Sequence, residues 1–188
     1  MFASLEELRT YVRPNIPNKR LFHVLGVEQE ADTLARRWGV DPYAARQAAI
    51  VHDMTKFYPL AVQLHICEKY DIIPSYLEKG SGDLLHGITA AALAWHELSL
   101  SHEVADAVRF HTTGRPRMTM LDKVVYMADY IEPTRDFDGV GLLRVLAYAD
   151  IHRAVLQGFA FSIAHQLAKR RPVHPLTVDA WNAHLERG

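Results

Sequence analysis

The chain has little of what marks most specialised protein classes. Its 188 residues include one cysteine, Cys67, so an internal disulfide is excluded and a reducing, cytoplasmic setting is expected. No apolar run is long enough to span a membrane, and the opening MFASLEELRT carries charges where a secretory signal needs an apolar stretch. There is no basic excess. The formal net charge of -1 argues against a general nucleic-acid surface and leaves room for a local basic patch serving a small anion. Strand signals are scarce, and no linker, internal repeat or low-complexity run divides the chain. Apolar residues, by contrast, make up 49%, enough for one sizeable core. Histidine is over-supplied, with 11 residues against three tryptophans.

The expected architecture is all-α: a helical bundle of eight or so helices, with residues 1–188 as a single domain. Ser4 and Glu7 have capping-box spacing ahead of Leu5, Leu8 and Val12, and Pro14 and Pro17 break that helix. Asn18 is expected to cap a long second helix ended by Gly39, and Asp41-Pro42 restarts the chain as YAARQAAIVHD. Pro59 opens LAVQLHICEKY, and the GSGD stretch at 80–83 reads as a loop before the small-residue helix LLHGITAAALAWHEL. Ser101 caps HEVADAVRFH. Thr119 with Asp122 caps LDKVVYMADYI, which Pro133 stops. A short helix, a long one from about Asp150 to Arg171, and a last one capped at Thr177 complete the reading.

Some residues do not suit their surroundings. His52 and Asp53 stand side by side at the end of an apolar helix, where an acid and an imidazole are costly to bury without a partner. A divalent metal is such a partner, since neutral imidazole and carboxylate both ligate first-row ions. Consecutive helical residues point about 100° apart, so the two converge only if the ion lies near the helix end. His23 lies among Phe22, Val24 and Leu25, and Asp129 lies inside VVYMADYI. Singly each reads as an ordinary core or edge residue. Together His23, His52, Asp53 and Asp129 form a mixed nitrogen and oxygen ligand set with positions open to water and substrate. His86 and His111 extend it, either as ligands of a second metal or as hydrogen-bond donors to phosphate.

The remaining histidines, among them His165 and His184, read as surface residues. His174, boxed by Pro172 and Pro175 after a basic run, reads as a rigid loop over the site or as a cap. Arg20, Lys56, Arg115 and Arg135 recur beside the ligand candidates. Each alone reads as a solvated charge, but their recurrence points to a polyanionic substrate, because phosphates need several cations to offset desolvation.

The order His, His-Asp, His, His, Asp resembles that of the HD superfamily. The stretches KRLFHVLGV, AAIVHDMTKFYP and HTTGRPRMTMLDKVVYMADYIEPTRDF, with VHPLT, resemble the YqeK-type branch from about residue 18 to 182. These are the symmetrical bis(5'-nucleosyl)-tetraphosphatases of bacteria. The resemblance implies an HD-domain helical bundle, cleavage of diadenosine tetraphosphate into two ADP, and iron as the expected metal, with manganese or zinc as alternatives and one or two ions. It places the core ligands on His23, His52, Asp53 and Asp129, and the further histidines on His86 and His111.

In the mechanism expected from this, a metal lowers the pKa of water, Asp53 orients the nucleophile, and His86 or His111 protonates the leaving oxygen or binds a second ion. Arg20, Lys56, Arg115 and Arg135 offset phosphate charge, and adenine lies near His174 and Pro175. The partner is a small dinucleoside polyphosphate, with no nucleic acid and no membrane. A homodimer is compatible, since Trp38, Trp95 and Trp181 suit core or interface equally. The alternatives are another HD phosphohydrolase acting on a different nucleotide, a non-catalytic nucleotide-binding module, and a helical scaffold whose histidines are structural.

Overall fold

The structure, a computed structural model, describes residues 4–186. Among the described residues the chain forms eleven α-helices and one 3-10 turn, with no strand and no helix long and apolar enough to cross a membrane. The helices are α1 (Leu5–Val12), α2 (Asn18–Trp38), α3 (Pro42–Val51), α4 (Leu60–Lys69), α5 (Tyr76–Lys79) and α6 (Gly82–His96). They continue with α7 (His102–Phe110), α8 (Met120–Ile131), α9 (Val140–Ala149), α10 (Ile151–Ala168) and α11 (Pro175–Leu185). The fold is all-α, as expected.

Local chemistry explains most of the helix starts. Ser4 with Glu7 and Thr119 with Asp122 form reciprocal capping boxes, and Asp41 caps α3 ahead of Pro42. Three starts differ from expectation. Asn18 lies inside α2, which Pro17 precedes, and its side-chain oxygen accepts from Arg13 instead. The GSGD loop is half helix: α6 begins at Gly82, and Asp83 sits in its first turn, where a carboxylate favours the positive helix end. α11 is capped by His174, whose Nδ1 accepts from the Leu176 amide, and not by Thr177. The short α5, with its own Ser75–Glu78 capping box, is a helix the sequence pattern did not single out.

One apolar cluster draws side chains from every helix except α5, and a small second one joins Cys67 of α4 to Leu85 and Ile88 of α6. Fully buried members such as Leu8, Leu34, Ile50 and Phe159 each contribute roughly 1.5–3 kcal/mol. α2 packs against α3 and α8, α6 packs against α7, and α3 reaches both α7 and α8. The α6–α7 approach depends on small residues. A Cβ on Gly87 would stand 3.0 Å from the Arg109 carbonyl oxygen, and the following Ala90, Ala91 and Ala92 are all buried. These crossings bring the second turn of α2, the ends of α3 and α7, the second turn of α6 and the last turn of α8 to one place.

Candidate metal centre

His52 caps the C-terminus of α3, and the chain then runs through turns that carry Asp53 inward. Thr55 ties that turn to α6 by donating to the His86 carbonyl at 2.9 Å. His52, Asp53 and His86 are all but inaccessible to solvent, and His23 and His111 are buried. His23 comes from α2, His111 from the C-cap of α7, and Asp129 from the last turn of α8.

One local device orients three of the imidazoles. His52 Nδ1 lies 2.7 Å from the Ala49 carbonyl, His86 Nδ1 2.8 Å from that of Asp83, and His111 Nδ1 2.6 Å from that of Val108. A carbonyl oxygen only accepts, so each Nδ1 carries the proton and each Nε2 presents a lone pair. His23 does the same with a carboxylate, its Nδ1 lying 3.0 Å from Glu132 Oε1. Glu132 is fully buried and also accepts from the Thr134 amide at 2.7 Å and hydroxyl at 2.6 Å. Its place depends on Gly26 of α2, where a Cβ would stand 2.7 Å from Glu132 Oε2. A glycine inside a helix costs about 1 kcal/mol relative to alanine, and the notch that admits Glu132 is what it provides.

All four Nε2 atoms converge on Asp53. His23 and His52 face its Oδ2 at 3.8 and 3.4 Å, and His86 and His111 face its Oδ1 at 3.2 and 3.9 Å. His23 Nε2 also lies 3.1 Å from Asp129 Oδ1 but is not aligned to hydrogen-bond it. The buried Nε2 atoms of His23 and His52 have no hydrogen-bond partner. The Nε2 atoms of His86 and His111 meet at 3.0 Å, two lone pairs that repel unless a cation lies between them. Nitrogen and oxygen acceptors are thus packed together with too few protons to share. His23, His52 and Asp129 form one compact group of potential ligand atoms, and His52, Asp53 and His111 another. The donor set suits a divalent metal.

Electrostatics show the same demand for positive charge: burial lowers the His52 pKa, but Asp53 beside it more than offsets that and raises it, drawing a proton into the cluster where no cation is held. Burial opposes ionisation of Asp53, yet His52, His86 and Lys56 outweigh it and hold the carboxyl well below its ordinary value. Burial likewise opposes Asp129, and Arg135, His23 and His52 overcome it. Burial, with His86 and His52 beside it, pushes the His111 imidazole down to about 3, which keeps its lone pair available.

A cleft of about 890 Å³ opens above this cluster. Arg20, Lys56 and Arg135 line it. Arg20 is bonded to Asp53 Oδ2 at 2.7 Å, Lys56 to Asp53 Oδ1 at 3.2 Å, and Arg135 to Asp129 Oδ1 at 2.5 Å. Tyr130, Phe137 and Phe161 form an aromatic wall, with edge-to-face contacts from Phe137 to each of the other two. The structure therefore brings His23, His52, Asp53, His86, His111, Asp129, Arg20, Lys56 and Arg135 together.

It does not bring Arg115, which is outside the cleft lining and bonded to Asp122 and Asp106, each at 2.8 Å. His174 lines a neighbouring cavity, and Pro175 opens α11. Two residues read as surface are placed otherwise. His165 lines the cleft, and His184 is buried against Phe159, its Nδ1 2.8 Å from the Ala180 carbonyl. Glu132 was not anticipated at all. The signal available for it was an acid held between the apolar end of α8 and Pro133, opposite a glycine that interrupts a helix.

Comparison with known proteins agrees with this geometry. The family model of the HD domain matches residues 20–134. The chain is 38% identical to the symmetrical bis(5'-nucleosyl)-tetraphosphatase of Bacillus subtilis (strain 168), over 94% of this chain and 95% of that protein. Identity to the protein of the same name from Staphylococcus aureus (strain NCTC 8325 / PS 47) is 31%, over 95% and 93%. The crystal structure titled as a predicted HD superfamily hydrolase involved in NAD metabolism, from Clostridium acetobutylicum, matches with a TM-score of 0.95 at 35% identity, covering 100% of both chains.

Proposed function

The chain belongs to the HD-domain family and within it to the symmetrical bis(5'-nucleosyl)-tetraphosphatases, and on that footing we propose that it hydrolyses diadenosine tetraphosphate at the middle anhydride to give two ADP. The observation that carries this reading is the convergence of four imidazole Nε2 atoms on Asp53 beneath a cleft walled by three cations. His23, His52, Asp129 and Asp53 would hold one divalent ion, with iron expected and manganese or zinc as alternatives. The 3.0 Å approach of the His86 and His111 Nε2 atoms favours these two residues as ones that would hold a second ion over their acting as proton donors. When bound, a divalent ion supplies Lewis acidity, acidifying water and offsetting charge on phosphate oxygens.

The protein's own groups do the rest. Hydrolysis adds the oxygen of water to one central phosphorus, and the bridging oxygen leaves on the other as the second ADP. Asp53, held ionised, orients the attacking water by accepting its hydrogen bond. Arg20, Lys56 and Arg135 stand where charge builds on the phosphates and leaving group. Glu132 fixes the His23 ring and its tautomer. Tyr130, Phe137 and Phe161 offer a face for one adenine.

The test is anaerobic purification with metal analysis, followed by product identification on diadenosine tetraphosphate. ADP as the sole product, with iron bound, is expected. ATP plus AMP, or an intact substrate with the metal in place, rejects the activity.

A further inference from the structure

A second cavity of about 630 Å³ adjoins the metal cleft, and the two share Asp83, Thr112 and Ser162 as a common rim. The volume lies within the range of about 300–1,000 Å³ usual for small-molecule sites. Its wall mixes apolar and cationic groups: Leu77, Leu84, Pro172 and Val173 with Lys79 and Arg171. The segment that closes it is pinned. His174 Nδ1 accepts from the Leu176 amide at 3.2 Å, so its Nε2 carries the proton and donates to Glu78 Oε1, also at 3.2 Å. This clasp ties the loop before α11 to α5, two segments that both contribute to the cavity wall, and uses both nitrogens of His174.

We infer that this second cavity is the binding lobe for the distal nucleoside of the dinucleoside polyphosphate, so that the substrate lies across the rim with one adenosine in each lobe. The inference rests on the proposed activity and extends it to how the enzyme recognises length. A site that grips one nucleoside fixes only the distance from that end to the cut. It would treat a substrate lacking the second nucleoside much like the full one. Gripping both ends selects a tetraphosphate whose middle bond falls over Asp53. The aromatic wall serves one base, the apolar wall of the second lobe serves the other, and Lys79 and Arg171 face the phosphates that cross the rim.

The experiment compares diadenosine tetraphosphate with adenosine 5'-tetraphosphate, which has the same phosphates and one nucleoside. In the metal-loaded protein kcat/KM favours the dinucleoside by at least about tenfold, the factor carried by 1.4 kcal/mol of binding. Val173→Trp, which fills the lobe from its loop, removes most of that preference. Arg171→Ala, trimmed from an exposed position, reduces it without adding bulk. Isothermal titration counts two ADP per wild-type chain and one per Val173→Trp chain. Equal kcat/KM for the two substrates in the wild type, a preference that survives both variants, or a single ADP per wild-type chain overturns the inference. A wild type that leaves diadenosine tetraphosphate intact defeats the activity reading instead, and the ADP count then still decides whether the lobe binds a nucleotide.

Discussion

Helix α2 carries two buried ionisable residues, His23 and Glu28, and they differ in how their surroundings treat them. Glu28 is satisfied. Arg9 donates to its two oxygens at 2.9 and 2.6 Å, Arg46 adds a third bond at 2.9 Å, and both arginines keep partial access to solvent. The arginines hold the acid and the acid holds the arginines, which joins α1, α2 and α3. His23 is satisfied on one side only. Its Nδ1 is committed to Glu132, while its Nε2 bonds to nothing and faces carboxylate oxygens. A buried charge whose donors and acceptors cancel is a structural tie. A buried cluster with surplus acceptors is stable only with a cation, so the imbalance is what separates a functional centre from a buried salt bridge.

The sharpest way to break this comparison is at Asp53. Asp53→Asn keeps the shape but removes the charge on which the four imidazoles converge, so bound metal and turnover are lost together. Full activity or full metal content in that variant ends the reading. A smaller effect is expected at Glu132, which does not touch the ion. Glu132→Gln still offers His23 an oxygen but no charge, and weakens metal affinity by about 10–100-fold while the fold is kept. Gly26→Ala, which crowds Glu132 Oε2, should shift metal affinity in the same direction. Unchanged metal titrations in both variants would reduce Glu132 to a helix-end residue. At Glu28 the effect moves from chemistry to stability. Glu28→Ala frees two half-exposed arginines to turn to water, so it costs about 1–3 kcal/mol of stability and leaves metal content and kcat/KM as they were. A loss of activity without a loss of melting temperature would show that the two buried positions of α2 are not separate in role.

The same contrast explains what could be read from the sequence. His52, Asp53, His23 and Asp129 were legible because an ionisable group in an apolar helical run is costly, and the cost shows without any coordinates. The caps at Ser4, Asp41, Ser101 and Thr119 were legible because their chemistry is complete within four residues. Glu132 was not, because EPT reads as an exposed turn, and its burial comes from a notch in a helix more than 100 residues earlier. The aromatic wall and His165 depend on how α10 crosses α8, which periodicity does not specify. Lone pairs of His86 and His111 facing each other at 3.0 Å are likewise a product of packing, set by the small residues between α6 and α7.

Arg115 is the residue on which sequence and structure disagree most, and it gives the mildest test. Beside His111 in the chain it reads as a phosphate ligand. In the fold its Nε and Nη1 are committed to Asp122 and Asp106, and it is outside the cleft. Burial lowers the pKa of its guanidinium, but the two carboxylates more than offset that and raise it, so the charge is anchored where it stands. Asp122 is fully buried, and its Oδ2 also accepts from the Thr119 amide at the start of α8. Arg115→Ala therefore leaves a buried carboxylate with the cap as its remaining partner. The cost is about 1–3 kcal/mol. For a domain of this size each kcal/mol lowers the melting temperature by about 2–4 °C. KM for diadenosine tetraphosphate should stay as in the wild type, whereas Arg135→Ala, at the cleft wall, should raise it. If Arg115→Ala raises KM at an unchanged melting temperature, Arg115 swings out to the substrate, and its ties to Asp106 and Asp122 are a resting position.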